Sequence, residues 1–152
     1  MEREIKVKYM STTSQAGIDL IKHFEGFSAE PYMDANDGWT VGYGHLFKEG
    51  ETPHSVTHEE AEALLRGDLA IAEEAVKTLA PWRMTPGQFD ALVSFTYNVG
   101  AKAFAESTLR RFLGEGRLVD AAAEFIRWRF DDGKAVKGLL LRRLAEAALF
   151  LS

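Results

Sequence analysis

Apolar positions recur every three or four residues along most of the chain and alternate with polar ones only over a short stretch near its start. Leu20, Ile21 and Phe24 share one face of a helix that Ser14 can cap and that runs to about Phe24, which leaves Glu25 at its C-terminus. Thr57-His58-Glu59-Glu60 is a capping box. Beyond it, Ala61, Leu65, Leu69, Ala72, Val76 and Leu79 continue at steps of three and four. That spacing predicts one helix to about Leu79, roughly 33 Å long at about 1.5 Å per residue. Pro81 ends it, and Thr85-Pro86-Gly87-Gln88 opens the next helix with a second capping box and Pro at the first helical position. Phe89, Leu92, Val93 and Thr96 make this the central core helix, closed by Asn98-Val99-Gly100. Ser107 caps a short helix ending near Gly114, and another runs from about Leu118 to Arg129 with Ala121, Ala122, Phe125 and Trp128 inward. Asp131-Asp132-Gly133 is a turn. The last helix, Leu139 to Leu151, is expected to bury Leu140, Leu144, Ala147 and Leu151.

The helical period is lost from Gly26 to Pro53, and the stretch from Glu25 to His45, EGFSAEPYMDANDGWTVGYGH, is the most unusual in the chain. It holds four carboxylates, Glu25, Glu30, Asp34 and Asp37, among glycines and aromatics, a poor composition for core or helix. Trp39, Val41 and Tyr43 alternate with Thr40 and Gly42 as in a strand. The expected object is a small twisted hairpin whose carboxylates and hydroxyl line a cleft. Asp37-Gly38 reads as a turn dipeptide, and Glu30 before Pro31 as a solvated residue. Residues 1–13 stand apart. Ile5, Val7 and Tyr9 alternate with Lys6 and Lys8, but a terminus without a visible partner reads as a flexible leader.

At 152 residues, 46% hydrophobic and 27% charged, the chain has the size and composition of one globular domain. It has no cysteine, so disulfides and thiolate metal sites are excluded. His54 and His58 lack the Glu of an HExxH zinc motif. Net charge is −5, with 8 Lys/Arg against 16 Asp/Glu in residues 1–100 and 10 against 7 in residues 101–152. Nucleic-acid binding is not expected of that balance. The basic last third suits an anionic polymer or merely solvates helix surfaces. No stretch approaches ~18 apolar residues, so no transmembrane helix is expected, and MEREIKVKYMSTT has no apolar signal-peptide region.

Glu25, Asp34 and Thr40 are spaced by nine and then six positions, with TVGYGH overlapping the last. This string resembles the phage-type lysozymes, the endolysin muramidases. FDALVSFTYNVG, STLRRFL, AAAEFIRW and GLLLRRLAEAALF resemble the same family's helical landmarks in order, so the likeness covers residues ~14–152. The resemblance implies an α+β, lysozyme-like fold, a single domain over residues 14–152. A β lobe at about 26–56 and a helical lobe at about 80–152, with the first helix, would be joined by the long helix.

It further implies a monomeric glycoside hydrolase that cleaves peptidoglycan between N-acetylmuramic acid and N-acetylglucosamine, with no cofactor and no metal. The enzyme would be made in the host cytoplasm and reach the wall when another factor releases it, in host lysis by a phage or prophage.

Glycosidic cleavage needs a proton for the leaving oxygen and a second carboxylate in most glycosidases. Glu25 is the candidate general acid, since a helix C-terminus and partial burial both disfavour its ionised form. Asp34 is the second carboxylate. Thr40 offers a hydroxyl that can hold a water, and the resemblance implies inversion, with Asp34 and Thr40 activating that water. His45 reads as a structural histidine, and Asp68 occupies the family position that could pair with it. Tyr43 and Trp39 are either hairpin packing or sugar-stacking platforms. Tyr97 and Asn98 resemble cleft-lining residues, with helix termination as the competing reading of Asn98. Arg142 and Arg143 are helix surface, unless one of them reaches the cleft and pairs with Glu25. A wall-binding or scaffold module on the same fold and hydrolysis of chitin-like polymers are the rival functions. The intact Glu25/Asp34/Thr40 set argues against the first.

Overall fold

The computed structural model describes residues 12–152. Ile5, Val7 and Tyr9 lie outside the described residues. The order is α1 (Gln15–Glu25), β1 (Ser28–Asp34), β2 (Gly38–Gly42), β3 (His45–Leu46), α2 (His58–Asp68), α3 (Ala70–Leu79), α4 (Pro86–Val99), α5 (Ala101–Glu106), α6 (Thr108–Gly114), α7 (Leu118–Glu124), a 3-10 turn (Phe125–Arg127), β4 (Phe130–Asp131), β5 (Lys134–Ala135) and α8 (Lys137–Leu151). The three strands near the start form an antiparallel sheet in the order β1-β2-β3, and β4 and β5 form a separate hairpin. The class is α+β.

The core forms around α4. Residues Phe89 to Thr96 are buried without interruption, which a helix achieves only when others surround it. Helices α1, α3, α5 and α8 pack on it. Both capping boxes are present, with Thr57 and Glu60 opening α2 and Thr85 and Gln88 opening α4 behind Pro86. The expected long helix is two helices. Leu69 sits between α2 and α3 with φ −74° and ψ −13°, next to Gly67, the weakest helix former of the segment. Its N–H still reaches the carbonyl of Leu65 at 2.9 Å, and Glu73 N–H reaches that of Leu69 at 2.8 Å. The stripe of Ala61, Leu65, Leu69, Ala72 and Val76 is therefore buried throughout, as the spacing predicts.

Helix α5 occupies the stretch between α4 and the helix that Ser107 caps, where no element is predicted. Two further expectations change. The predicted helix from Leu118 stops at Glu124 and tightens into the 3-10 turn, while Ala121, Ala122 and Phe125 are buried as expected. The inward face of α8 is charged. Arg142, Arg143 and Glu146 are buried with Ala147 and Phe150, whereas Leu144 and Leu151 are 43% and 60% exposed. Apolar periodicity misses this face because the three charges satisfy one another.

Helix α1 is fixed at its start by two carboxylates from other helices. Ser14 stands at the N-cap, but its hydroxyl donates to Asp90 and makes no cap bond to its own helix. The Ser14 N–H also donates to Asp90, at 2.9 Å. The N–H and hydroxyl of Thr13 donate to Glu73 Oε2 at 2.6 and 2.9 Å. Thr13 is buried, so it belongs to the packed structure and not to a leader. Gly17 is required here, because a Cβ on it would lie 2.6 Å from Thr13 Cγ2 and 2.7 Å from Asp90. Replacing Asp90 with Ala strands the Ser14 donors, and we expect a loss of about 2–3 kcal/mol. Thermal denaturation should show the melting temperature falling by roughly 5–10 °C.

Candidate active site

Glu25 is the last residue of α1, which stops because Gly26 takes φ 75° while its N–H closes on the Lys22 carbonyl at 3.0 Å. The Glu25 side chain is 24% exposed. Arg142 Nη1 donates to its Oε1 at 2.8 Å. Its other oxygen faces the turn between β2 and β3, where a Cβ on Gly44 would come 3.6 Å from Oε2. Gly44 has φ 87°, a left-handed conformation that glycine adopts at little cost. The carboxylate is thus held between α8 and the sheet.

Sheet register brings the other two candidates to one face. Tyr32 pairs with Thr40, Asp34 with Gly38, and Thr40 with Leu46. Opposed residues share a face, as do residues two apart along a strand. Tyr32, Asp34, Thr40 and Leu46 therefore point the same way. Asp34 Oδ1 accepts the Asn36 N–H at 2.9 Å. Thr40 is buried, and its hydroxyl donates to the Gly38 carbonyl at 3.0 Å. Asp37 lies in the exposed turn, and Glu30 accepts the Ser55 hydroxyl at 2.7 Å, tethering β1 to the segment before α2. Trp39, Met33, Val41 and His45 share the opposite face. His45 Nδ1 lies 3.0 and 2.9 Å from the two oxygens of Asp68, so the expected link from hairpin to helix is present.

Of the two readings of Tyr43, its surroundings favour packing. It is 8% exposed, with its ring against Phe27 at 5.2 Å, Lys22 Nζ over it at 5.4 Å, and its hydroxyl 3.4 Å from His58 Nδ1. Tyr97 is half-buried. Burial, then the carboxylates of Glu25 and Asp68, push its phenol up to about 12 against the pull of Arg142. Asn98 does not end its helix, since Gly100, at φ 97°, is the C-cap. The Asn98 amide oxygen accepts a hydrogen bond from Arg143 instead.

The choice between the two arginines is thereby made: Arg142 reaches Glu25. Glu146 and Ser94 were missed. Glu146 is fully buried, and Ser94 donates to its Oε2 at 2.5 Å. Burial pushes the Glu146 carboxyl up, opposed by Arg143, Arg142 and Ser94. An Arg-Arg-x-x-Glu spacing, which puts both guanidiniums within one turn of a carboxylate, was the available signal. Tyr32 and Leu46 share the face of Asp34 and Thr40, which strand parity counted from those two residues predicts.

Residues 22–146 match the family model described as phage lysozyme. The chain belongs to the phage lysozyme family. It is 45% identical over 91% of its length to the endolysin of Bacillus phage PZA, and it spans about half of that relative, 55%. It is 37% identical to the endolysin of Salmonella phage P22 over 94% of this chain and 100% of that one. Among solved structures, the muramidase domain of SpmX from Asticaccaulis excentricus has a TM-score of 0.83 at 41% identity, covering 92% of this chain and 97% of that one. The fold is lysozyme-like. Among the described residues, no helix is long and apolar enough to cross a membrane.

The raised phenol of Tyr97 gives a signed pH dependence. Its folded value of about 12 exceeds the ordinary 10.0. The folded state therefore holds the proton longer than the unfolded chain, and stability falls as pH rises from the ordinary value through the folded one. In an alkaline titration followed by phenolate absorbance, one tyrosine should ionise near the upper value, and Tyr97→Phe should remove that step.

Proposed function

We propose that this phage lysozyme-family chain is an endolysin muramidase. It hydrolyses the β-1,4 bonds between N-acetylmuramic acid and N-acetylglucosamine in peptidoglycan by general acid-base catalysis with inversion. The observation that carries the reading is the placement of Glu25, held at 2.8 Å by Arg142 and facing the Gly44 turn of the sheet that presents Asp34 and Thr40 on one face. Glu25 gives its proton to the glycosidic oxygen as the bond to the anomeric carbon breaks. A water attacks that carbon from the other side of the sugar, and Asp34 takes the water's proton. Asp34 Oδ1 receives the Asn36 N–H, which leaves Oδ2 for the water. Thr40 donates its own proton to Gly38, so its oxygen lone pairs are available to accept a hydrogen from the water. Thr40 therefore orients the nucleophile and does not deprotonate it. The acid-base chemistry is complete without a cofactor.

Tyr97 and Asn98 at the end of α4, with Tyr32 on the sheet, are the proposed sugar contacts. The chain acts as a monomer, and another factor releases it to the wall. The assay is turbidity loss of outer-membrane-stripped bacterial cells. Glu25→Gln should lower the rate by at least ~10²-fold while leaving binding to the wall intact. Asp34→Asn should also impair turnover, whereas Asp37→Asn and Glu30→Gln should be mild. Reducing-end release with product masses identifies the bond, and the anomeric configuration of the first product tests inversion. A wild-type protein that binds the wall without clearing cells would make this a binding module, and Glu25→Gln clearing at the wild-type rate would remove the acid from the mechanism.

A further inference from the structure

The two buried arginines of α8 share one buried carboxylate. Glu146 is fully buried, and its oxygens divide between them: Oε1 takes Arg143 Nη1, and Oε2 takes Arg142 Nε at 3.3 Å. Ser94 on α4 donates to Oε2 as well. Most of the other donors are used inside the helical packing. Arg142 Nη2 reaches the carbonyl and hydroxyl of Ser94 at 3.1 and 3.3 Å, and Arg143 Nε reaches the Trp128 carbonyl at 3.0 Å. Each guanidinium then sends one nitrogen toward the candidate cleft. Arg142 Nη1 ends on Glu25, and Arg143 Nη2 ends on the Asn98 amide oxygen. Phe24 and Phe95 lie beside the two guanidinium planes at 5.9 and 5.1 Å.

A buried acid is a poor way to add stability, because an apolar residue of the same volume usually does as well. What a carboxylate with two oxygens supplies here is direction. Arginine side chains have many rotamers, and both are set by one rigid acceptor.

Resting on the muramidase reading, we infer that Glu146 is a positioning residue. Its carboxylate is the branch point of a fork that aims Arg142 at the proton donor Glu25 and Arg143 at the sugar-contacting amide of Asn98. Glu146 touches neither substrate nor reacting atoms. It acts through the arginines, and the two tips of the fork, 73 positions apart in sequence, keep a fixed relation because one residue holds both.

The test is Glu146→Gln, which keeps shape but removes the charge and one acceptor oxygen. On soluble uncrosslinked glycan strands, kcat per folded molecule should fall about 10²-fold, the scale of a misplacement near 1 Å, with KM moving no more than a few-fold. In the same protein the Asn98 side-chain amide resonances should shift or broaden in 1H–15N spectra. A purely structural role would lower the melting temperature and leave kcat per folded molecule alone. That result, or Asn98 resonances unchanged from wild type, overturns the inference. If Glu146→Gln does not fold, Ser94→Ala removes one support of the branch point and should lower kcat several-fold, and an unchanged kcat there overturns it too. Should the wild type fail to hydrolyse glycan, the muramidase reading falls, and the Asn98 spectra still decide the fork.

Discussion

Two guanidinium groups in the protein interior set the terms for everything packed around them. Each loses several kcal/mol of hydration on burial, so each must find partners for nearly all its donors. Arg142 and Arg143 find them on α1, α4, α8 and the chain just after the 3-10 turn. That requirement brings together elements far apart in sequence, and it explains why α8 presents its charges to the core and leaves Leu144 and Leu151 in water. Stability and the candidate chemistry share the same residues, because the partner Arg142 finds on α1 is the proposed proton donor.

The sheet is attached differently. It carries little core of its own, and local ties bind it to its neighbours. The Val56 N–H reaches the Ala29 carbonyl at 2.9 Å, Ser55 bonds Glu30, and His45 bonds Asp68. Tyr43, Phe27 and His58 pack where α1, the sheet and α2 meet, with Phe27 and His58 stacked at 3.8 Å. Val41 and Tyr43 are buried, while Tyr32, Met33, Trp39 and Leu46 are left exposed.

Elements whose signal is local were legible in the sequence. Both capping boxes, the α4 core face and the Asp37-Gly38 turn all depend on residues within a few positions of one another. What escaped depends on contacts across the chain. Asp90 looks like an ordinary polar position in an apolar helix until Ser14, 76 residues earlier, is seen to need an acceptor. Glu146 looks like a solvated helix acid until Ser94 and two arginines are seen to enclose it. The break at Leu69 went unseen because the apolar stripe runs straight through it. The choice between the two readings of Tyr43 rests on Phe27, Lys22 and His58, contacts that no periodicity encodes.

Helix α1 is pinned at both ends to the helical part of the protein, by Glu73 and Asp90 at its start and by Arg142 at its finish. Mechanically, then, Glu25 belongs to the helices, although it precedes the first strand by only three residues. Asp34 and Thr40 ride on the strands. Rocking of the sheet relative to the helices would therefore change the separation of Glu25 from the face that carries Asp34 and Thr40. The three candidates are thus divided between two bodies of the fold, and their spacing depends on how tightly the ties of Glu30 and His45 hold the sheet to its neighbours.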